Sequence, residues 1–245
     1  MSVPRFFSEN LAGQMIDLQG QEAHHLANVR RVRAGEEVEL FDGRGEKVKG
    51  KVSSISKGVA RIEVQERWTV ERSETEMIVA CALAKGTRWG WLLEKCTELG
   101  AAGIWPVLFQ RSVVKGSGSA GQLEKWQKRC LEAAKQCGQA YLPQVAQPRP
   151  LERVLREEAA LRLLGTLSES SQAILAALQE AGRTEKIMLL VGPEGGLTDE
   201  EQALARDTGC REVFIGRNIL RVETAAVAML AAAVAWQDWG RNKAE

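Results

Sequence analysis

The chain has 245 residues, of which 44% are hydrophobic and 27% are charged, and this composition excludes an intrinsically disordered protein. At about 150 residues per domain, the length predicts one or two domains. The 33 basic and 32 acidic side chains nearly cancel, leaving a formal charge of +1. The protein is therefore not a polycation, and any binding of nucleic acid must come from local basic patches.

The cysteines and histidines argue against disulfides and against a metal site. The five cysteines are an odd number without a CxxC pair, and no export signal is recognisable, so we expect reduced thiols and a cytoplasmic protein. The two histidines, His24 and His25, are neighbours near the start, which leaves the C-terminal part without the histidine of a Ser-His-Asp or Cys-His site. The apolar run 225–236 is shorter than the roughly 20 residues that span a bilayer, so it predicts a buried helix and no membrane partner.

The first part of the chain predicts a small β-rich domain. Leu26, Val29 and Val32 have helical spacing and predict one short helix with these residues on a single face. Alternating apolar and charged positions, separated by Asp-Gly and Lys-Gly turns, then predict antiparallel strands at 36–41, 46–55 and 58–64. Because these strands are short and successive, they favour a small sheet or barrel.

A polar stretch at 69–76 predicts the linker, so we expect a first domain at 1–72 and a second at 73–245. In the second domain short apolar runs alternate with amphipathic segments, which predicts an α/β fold with a parallel sheet covered on both faces. The predicted strands are MIVACALA (77–84), IWPVLF (104–109), LRLLGTL (161–167), KIMLLVG (186–192) and REVFIG (211–216).

Two helices of the second domain carry recognisable start signals. Thr198 is a good N-cap, and Glu201 stands three residues later, at the position of a capping box. Ser170 or Ser171 is the expected cap of the preceding helix.

Two strand exits carry residues that could bind a ligand. The first runs LLVGPEGGLTDEE (189–201), where glycines allow backbone amides to approach a bound molecule closely. Ligands of open α/β sheets bind outside the carboxyl ends of the strands, although a plain connection with tight turns also uses glycine. The second runs FIGRNILRVETAAVAML (214–230) and brings Arg221 beside a very apolar helix, where an arginine needs a partner. For Glu223 and Thr224 in that segment, the alternative role is simply to cap the helix that follows.

Basic residues are concentrated in a few places. Arg30, Arg31 and Arg33 form a cluster in the first domain, and a strand carries Lys47, Lys49 and Lys51 on one predicted face. Such a face suits a phosphate backbone, although the nearby acidic residues Glu36, Glu37 and Glu39 favour an ordinary solvated surface. Between positions 85 and 135, nine Lys and Arg stand against four Asp and Glu.

These segments together resemble the ribosomal small-subunit methyltransferase E family of the SPOUT superfamily. The resemblance rests on the two strand exits and on segments in family order along nearly the whole chain. Asn218 stands where the family usually has proline. The further segments are HHLANVRRVRAGEEVELFDGRG (24–45), KGTRWGWLLEKCTELG (85–100) and KWQKRCLEAAKQCG (125–138).

The resemblance implies both a fold and an activity. The expected fold is an N-terminal PUA-like β-barrel followed by a SPOUT α/β domain with a trefoil knot. The expected activity is transfer of a methyl group from S-adenosylmethionine to N3 of uridine 1498 in 16S rRNA of the 30S subunit, by a homodimer without a metal. Two alternatives stay open: a SPOUT 2′-O-ribose methyltransferase, and a non-catalytic RNA-binding protein on the same fold.

The resemblance also implies the site residues. Arg221 is expected to stabilise negative charge on the uracil, and either Glu194 or Glu223 is expected to accept the proton or to anchor the arginine. The expected cofactor-binding residues are Leu167, Gly192, Pro193, Glu194, Gly195, Gly196, Ile215, Gly216, Ile219, Leu220 and Thr224. The expected RNA-binding residues are Arg5, Arg30, Arg31, Arg33, Arg44, Lys85, Arg88 and Arg111.

Overall fold

The computed structural model of the chain describes residues 3–113 and 119–241. It contains two compact units. The first takes the chain up to Arg72 together with Leu131–Leu142, and the second takes Ser73–Cys130 together with the chain from Pro143 onward. The predicted domain boundary did not anticipate that Leu131–Leu142 folds with the first unit.

The first unit contains one five-stranded sheet with the strand order β1-β3-β4-β5-β2. β1 pairs with β3 in parallel, and the other pairs are antiparallel. One face carries the unit's apolar core, in which Phe6, Leu26, Leu40 and Ile62 are fully buried. The elements are β1 (Arg5–Phe7), β2 (Met15–Leu18), α1 (Gly20–His24) with a π-helical turn (His25–Val29), β3 (Glu37–Phe41), β4 (Glu46–Ser56) and β5 (Val59–Thr69).

The predicted first helix is shorter than its apolar spacing suggested. It widens into the π-helical turn at His25 and ends at Arg30. This change of pitch rotates Val29 away from the core, so that Val29 is 61% exposed while Leu26 and Val32 are buried. The prediction of one face for all three residues was wrong for Val29.

The lysines of β4 do not form a free positive stripe. Lys47 is buried at 8% exposure, and its ammonium donates to Glu39 at 3.0 Å and to the Gly138 carbonyl at 3.0 Å. Lys49 pairs with Glu37 at 3.1 Å. Because the neighbouring strand supplies carboxylates, the solvated and paired interpretation of this face is the better one. The bond to Gly138 also helps to fix Leu131–Leu142 on this unit.

The second unit is built on one parallel sheet of eight strands in the order β11-β13-β10-β12-β6-β7-β8, with β9 also paired to β7. Its strands are β6 (Glu76–Ala82), β7 (Gly103–Leu108), β8 (Gln144–Val145), β9 (Arg149–Pro150), β10 (Leu161–Gly165), β11 (Gln172–Ala173), β12 (Lys186–Val191) and β13 (Cys210–Phe214). Its helices are α2 (Thr87–Glu98), α4 (Leu151–Leu155), α5 (Ile174–Ala181), α6 (Asp199–Asp207) and α7 (Val222–Arg241). The helix α3 (Ala120–Cys137) belongs to this unit up to Cys130 and to the first unit from Leu131 onward.

The predicted α/β class is confirmed for this unit. The central strands β6 and β12 are buried almost throughout, as a sheet covered by helices requires. The apolar helix α7 packs on both of these strands and against α2 and α5. Within residues 3–113 and 119–241, no helix has the length and apolar character needed to cross a membrane.

The two predicted helix starts had different outcomes. Thr198 caps α6 and forms the full capping box with Glu201, as predicted. The cap expected at Ser170 or Ser171 was wrong, because α5 begins at Ile174 after Ala173 and has no side-chain cap. The two serines lie in the preceding loop, where their hydroxyls bind other groups.

Candidate active site

Three neighbouring parallel strands end around one cavity of about 440 Å³. β10 lies between β13 and β12 in the sheet, so the loops that follow these three strands emerge side by side. All three loops line the cavity, and Val222, Ala225 and Met229 of α7 complete its wall. This is the carboxyl edge of a parallel sheet, where α/β proteins bind their ligands.

The loop after β12 is a tight turn, and the side chain of Arg111, which lies outside the loop, holds it in place. The Gly196 amide donates to the Pro193 carbonyl at 2.9 Å, and Gly196 has a φ of +71°, which favours glycine. Arg111 donates to the carbonyls of Gly195 and Leu197, both at 3.2 Å. Arg111 was predicted to contact RNA, and in the structure it braces this loop and lines the cavity.

Glu201 ties the end of this loop to a second strand exit. One oxygen of its buried carboxylate accepts from the Thr198 amide at 2.9 Å, and the other accepts from the Gln110 amide at 2.7 Å. Gln110 follows β7, so the capping residue of α6 also fixes the chain beside Arg111. The capping box was readable in the sequence, whereas the bond to Gln110 required the fold.

The loop after β13 is open to solvent. Ile215, Gly216, Ile219 and Leu220 line the cavity, and Ile219 is 91% exposed at its rim. Arg221 is exposed and forms no ion pair with any residue that the structure describes. The idea that Glu194 or Glu223 anchors Arg221 therefore has no support in the geometry.

The loop after β10 is organised by Glu212 of β13. Ser168 and Ser170 both donate their hydroxyls to Oε2 of Glu212, the second at 2.7 Å, and Arg206 lies 3.8 Å from Oε1. These hydrogen bonds from Ser168 and Ser170, aided by the charge of Arg206, lower the pKa of Glu212 although its partial burial opposes the shift. Glu212 and Ser168 line the cavity and were not predicted from the sequence. No motif marks them, because their meeting depends on the pairing of β10 with β13.

Arg88 stands between two carboxylates. Its Nη1 lies 3.8 Å from Oε1 of Glu194 in the loop after β12 and 4.0 Å from Oε1 of Glu223 in the first turn of α7. Glu223 is 6% exposed, and its Oε2 has no hydrogen-bond partner within the described part of the chain. Arg88 was predicted to bind RNA, and the structure places it beside both candidate proton acceptors.

Most of the predicted cofactor-binding residues meet at the cavity. Gly195 and Thr224 are exposed and do not line it. Those that line it are Leu167, Gly192, Pro193, Glu194, Gly196, Ile215, Gly216, Ile219 and Leu220.

The predicted RNA-binding residues of the first unit differ in exposure and in whether other groups of the protein already bind their side chains. Arg5 pairs with Glu39 at 2.9 Å, and Arg44 donates to the Glu9 carbonyl at 2.7 Å. Arg30, Arg31 and Arg33 are exposed in the loop after the π-helical turn. In the second unit Lys85 is exposed after β6. The cluster around Arg31 is thus the most accessible of the basic groups predicted in the first unit.

The cavity suits an amphipathic molecule of small to medium size. Leu167, Ile219 and Leu220 offer apolar surface, while open glycine backbone offers hydrogen-bonding groups. A Cβ added at Gly216 would meet no atom within 4 Å, so the space beside this backbone is free for a ligand. Among the described residues, no group of His, Cys, Asp and Glu is placed to hold a metal ion.

Comparison with known sequences gives matches over both parts of the chain. An RNA methyltransferase domain matches residues 71–234, and an RNA methyltransferase PUA domain matches residues 18–65. The ribosomal RNA small subunit methyltransferase E of Synechocystis sp. is 32% identical over 91% of this chain and 74% of its own length. The protein of the same name from Bacillus subtilis is 31% identical over 93% of this chain and 94% of its own length.

Comparison with solved structures agrees with the sequence matches. The ribosomal RNA small subunit methyltransferase E of Neisseria gonorrhoeae, solved bound to S-adenosyl methionine, has a TM-score of 0.85 and 30% identity. It covers 94% of this chain and 96% of its own. A methyltransferase from Legionella pneumophila, solved with bound cofactor, also has a TM-score of 0.85, at 27% identity over 96% of this chain and 98% of its own.

Proposed function

Because this chain belongs to the ribosomal RNA small subunit methyltransferase E family, we propose that it methylates N3 of uridine 1498 in 16S rRNA, using S-adenosylmethionine. One observation carries the proposal. The cavity at three adjacent strand ends is lined by nine of the eleven residues expected to bind the cofactor. Relatives that share this fold at a TM-score of 0.85 were solved with S-adenosylmethionine bound, which supports the same ligand here.

The residues of the cavity fit this cofactor. The apolar side chains of Leu167, Ile219 and Leu220 would enclose the adenine, and the backbone of Gly192 and Gly216 would hydrogen-bond with it. When bound, the cofactor supplies a methyl group on a sulfonium sulfur, whose C–S bond breaks with its electron pair kept by sulfur as the new N3–C bond forms. The chain itself must hold the uracil in line at about 3–3.5 Å and manage the charge and the proton of N3.

The base presents an electrostatic problem. Uracil N3 carries a proton at neutral pH, so a group must accept that proton while another stabilises the resulting anion. Arg221 is exposed beside the cavity loop and is without an ion pair among the described residues, which leaves it available to the O2 and O4 atoms of the base. Glu194 and Glu223 are the candidate proton acceptors. The base must leave its stack to reach this site.

The finer architecture belongs to the same proposal. We take the first unit as a PUA-like barrel that binds RNA, and the second as a SPOUT domain whose C-terminal segment threads a loop to form a trefoil knot. A homodimer acting on the 30S subunit in the cytoplasm is the expected working form.

The test is transfer of radiolabelled methyl groups to 30S subunits and to naked 16S rRNA, with mapping and nucleoside analysis of the product. We expect 3-methyluridine at a single position. A 2′-O-methylated nucleoside would assign the chain to the ribose-modifying alternative. Binding of rRNA without cofactor binding in calorimetry would assign it to the non-catalytic alternative.

A further inference from the structure

Arg88 joins three segments of the chain next to Glu194, which lines the cavity. It lies in the first turn of α2, after β6, and β6 is the sheet neighbour of β12. Its guanidinium stands within 4.0 Å of Glu194, from the loop after β12, and of Glu223, from the start of α7. One cation therefore faces a carboxylate from each of the two segments, 189–201 and 214–230, that carry most of the predicted ligand-binding residues.

The two carboxylates are not equivalent. Glu223 is 6% exposed, and its Oε2 lacks a hydrogen-bond partner among the described residues. An ionised carboxylate in such a place is costly unless a cation lies close by. Among the described residues, Arg88 is the cation within ion-pair distance of Glu223, at 4.0 Å. The burial of Glu223, and not the length of the contact, favours a role in keeping Arg88 in place over an exchange of protons with a substrate.

Glu194 has the opposite character. Its side chain is 45% exposed, and it lines the cavity. At 3.8 Å its contact with Arg88 is too long for a direct hydrogen bond, and an exposed pair of this kind contributes little stability. A substrate atom could therefore replace Glu194 as the partner of Arg88 at small cost.

We propose that Arg88 is a catalytic residue that binds a uracil oxygen as N3 loses its proton, that Glu223 positions Arg88, and that Glu194 accepts the proton. This assignment rests on the proposed methylation of N3. A guanidinium at O2 or O4 stabilises the negative charge that the N3 anion shares with these oxygens. Once Arg88 has turned to the uracil, Glu194 has lost its cationic neighbour and lies free at the cavity.

The step balances without another reactant. The N–H bond of N3 breaks and its proton passes to the Glu194 carboxylate, while the electron pair left on N3 forms the new bond to the methyl carbon. The bond between that carbon and the sulfonium sulfur breaks at the same time, and its electron pair stays on sulfur. Arg88 and Glu223 keep their charges throughout. The proton on Glu194 then leaves to solvent through its exposed side.

The decisive experiment compares two substrates that differ in the acidity of N3. A synthetic segment carrying uridine or 5-fluorouridine at the target position is ligated into 16S rRNA and assembled into 30S subunits. Fluorine makes N3 more acidic, so the modified base needs less help in losing its proton. Single-turnover methyl transfer at saturating cofactor is measured for the wild type and for Arg88→Met, Arg88→Lys, Glu223→Gln, Glu194→Gln and the control Arg153→Met.

With uridine, Arg88→Met and Glu194→Gln should each lose about 10²–10³ in rate, as the loss of an electrostatic or proton-transfer group typically does. With 5-fluorouridine the loss should be at least about ten times smaller. Arg88→Lys should recover part of the rate, because an ammonium lacks the planar fork of the guanidinium. Glu223→Gln should show the same difference between the two substrates as Arg88→Met, with a smaller loss of rate. Arg153→Met changes an exposed arginine of α4 outside the cavity lining and should keep the wild-type rate on both substrates.

Equal losses on the two substrates would overturn the proposal, because a role in folding or in RNA binding cannot depend on the acidity of N3. A wild-type rate for Arg88→Met would overturn it as well. If Arg88→Met does not fold in a melting experiment, Arg88→Lys and Glu223→Gln carry the same comparison. A wild type that yields no 3-methyluridine would instead disprove the proposed function, and the two failures are therefore distinguishable.

Discussion

The hydroxyl of Ser170 donates a hydrogen bond of 2.7 Å to Oε2 of Glu212, 42 positions further along the chain. This bond joins the loop after β10 to the neighbouring strand β13, and Ser168 donates to the same oxygen. The two hydroxyls stabilise the ionised carboxylate and thereby lower the pKa of Glu212. One wall of the cavity thus depends on the charge state of Glu212.

A pH dependence of stability follows from the hydrogen bonds that Ser168 and Ser170 donate to Glu212. The pKa of Glu212 in the folded state lies below its ordinary value of 4.5. The ionised carboxylate therefore adds its full contribution to the free energy of unfolding above about pH 4.5, and this contribution is lost as the pH falls through the lowered pKa of the folded state. The double variant Ser168→Ala/Ser170→Ala should melt below the wild type at neutral pH. The difference should shrink as the pH falls below 4.5. Melting curves between neutral and acid pH test this, and a constant difference across the range would contradict it.

Gly216 provides the cleanest test of the cavity. It lines the cavity, and a Cβ at this position would meet no atom within 4 Å. Gly216→Val should therefore abolish S-adenosylmethionine binding in calorimetry while the melting temperature stays near that of the wild type. Gly121→Val is the matched control, because Gly121 also has open space around it and lies outside the cavity lining.

The neighbouring glycines are less suitable for this purpose. Gly196 has a φ of +71°, so any side chain there is strained. A Cβ at Gly195 would stand 3.2 Å from the Cβ of Arg111, so Gly195→Val would act by pushing on the residue that braces the loop. Retained cofactor binding in Gly216→Val would argue that the ligand lies elsewhere.

Arg31 is strained by its backbone. It has a φ of +54° after the π-helical turn, where the Val32 amide donates to the Leu26 carbonyl at 3.1 Å. A helix end of this kind favours glycine, so Arg31→Gly should stabilise the fold by up to about 1 kcal/mol. If the side chain contacts a phosphate, the same variant should weaken rRNA binding and lower the slope of log affinity against log salt by about 0.9.

Lys57 supplies the control for Arg31. It also has a positive φ, of +50°, in the two-residue turn between β4 and β5. Lys57→Gly should likewise raise the melting temperature, but it should leave rRNA affinity unchanged. Equal effects of the two variants on the salt slope would mean that Arg31 has no special contact with RNA.

Arg221→Ala should lower single-turnover methylation by about 10²–10³, the usual cost of losing one preorganised electrostatic group. Cofactor affinity, rRNA affinity and melting temperature should not change, since Arg221 is exposed and forms no ion pair with a described residue. Arg221→Lys should recover only part of the rate. A drop in melting temperature with a normal rate at low temperature would instead indicate a structural role.

The sequence by itself determined the longer strands and helices and the two glycine-containing loops that line the cavity. Short apolar runs marked the buried strands of the second unit, and capping chemistry marked Thr198 and Glu201, because both signals depend on residues close together in the chain. The glycines at 192, 196 and 216 were recognisable for the same reason. The buried position predicted for Val29 was wrong, because a π-helical turn changes the helical pitch on which the prediction from spacing depends.

Only the tertiary structure decided which groups meet. The order β13-β10-β12-β6 brings Glu212 to Ser168 and Ser170, and it brings Arg88 to Glu194 and Glu223. These partners are separated by 42 positions or more and share no local pattern. Sequence reasoning accordingly chose Arg221 as the arginine beside the carboxylates. The pairing of the parallel strands gives that place to Arg88, because neighbours in such a sheet are fixed by long crossover connections and not by proximity in the chain.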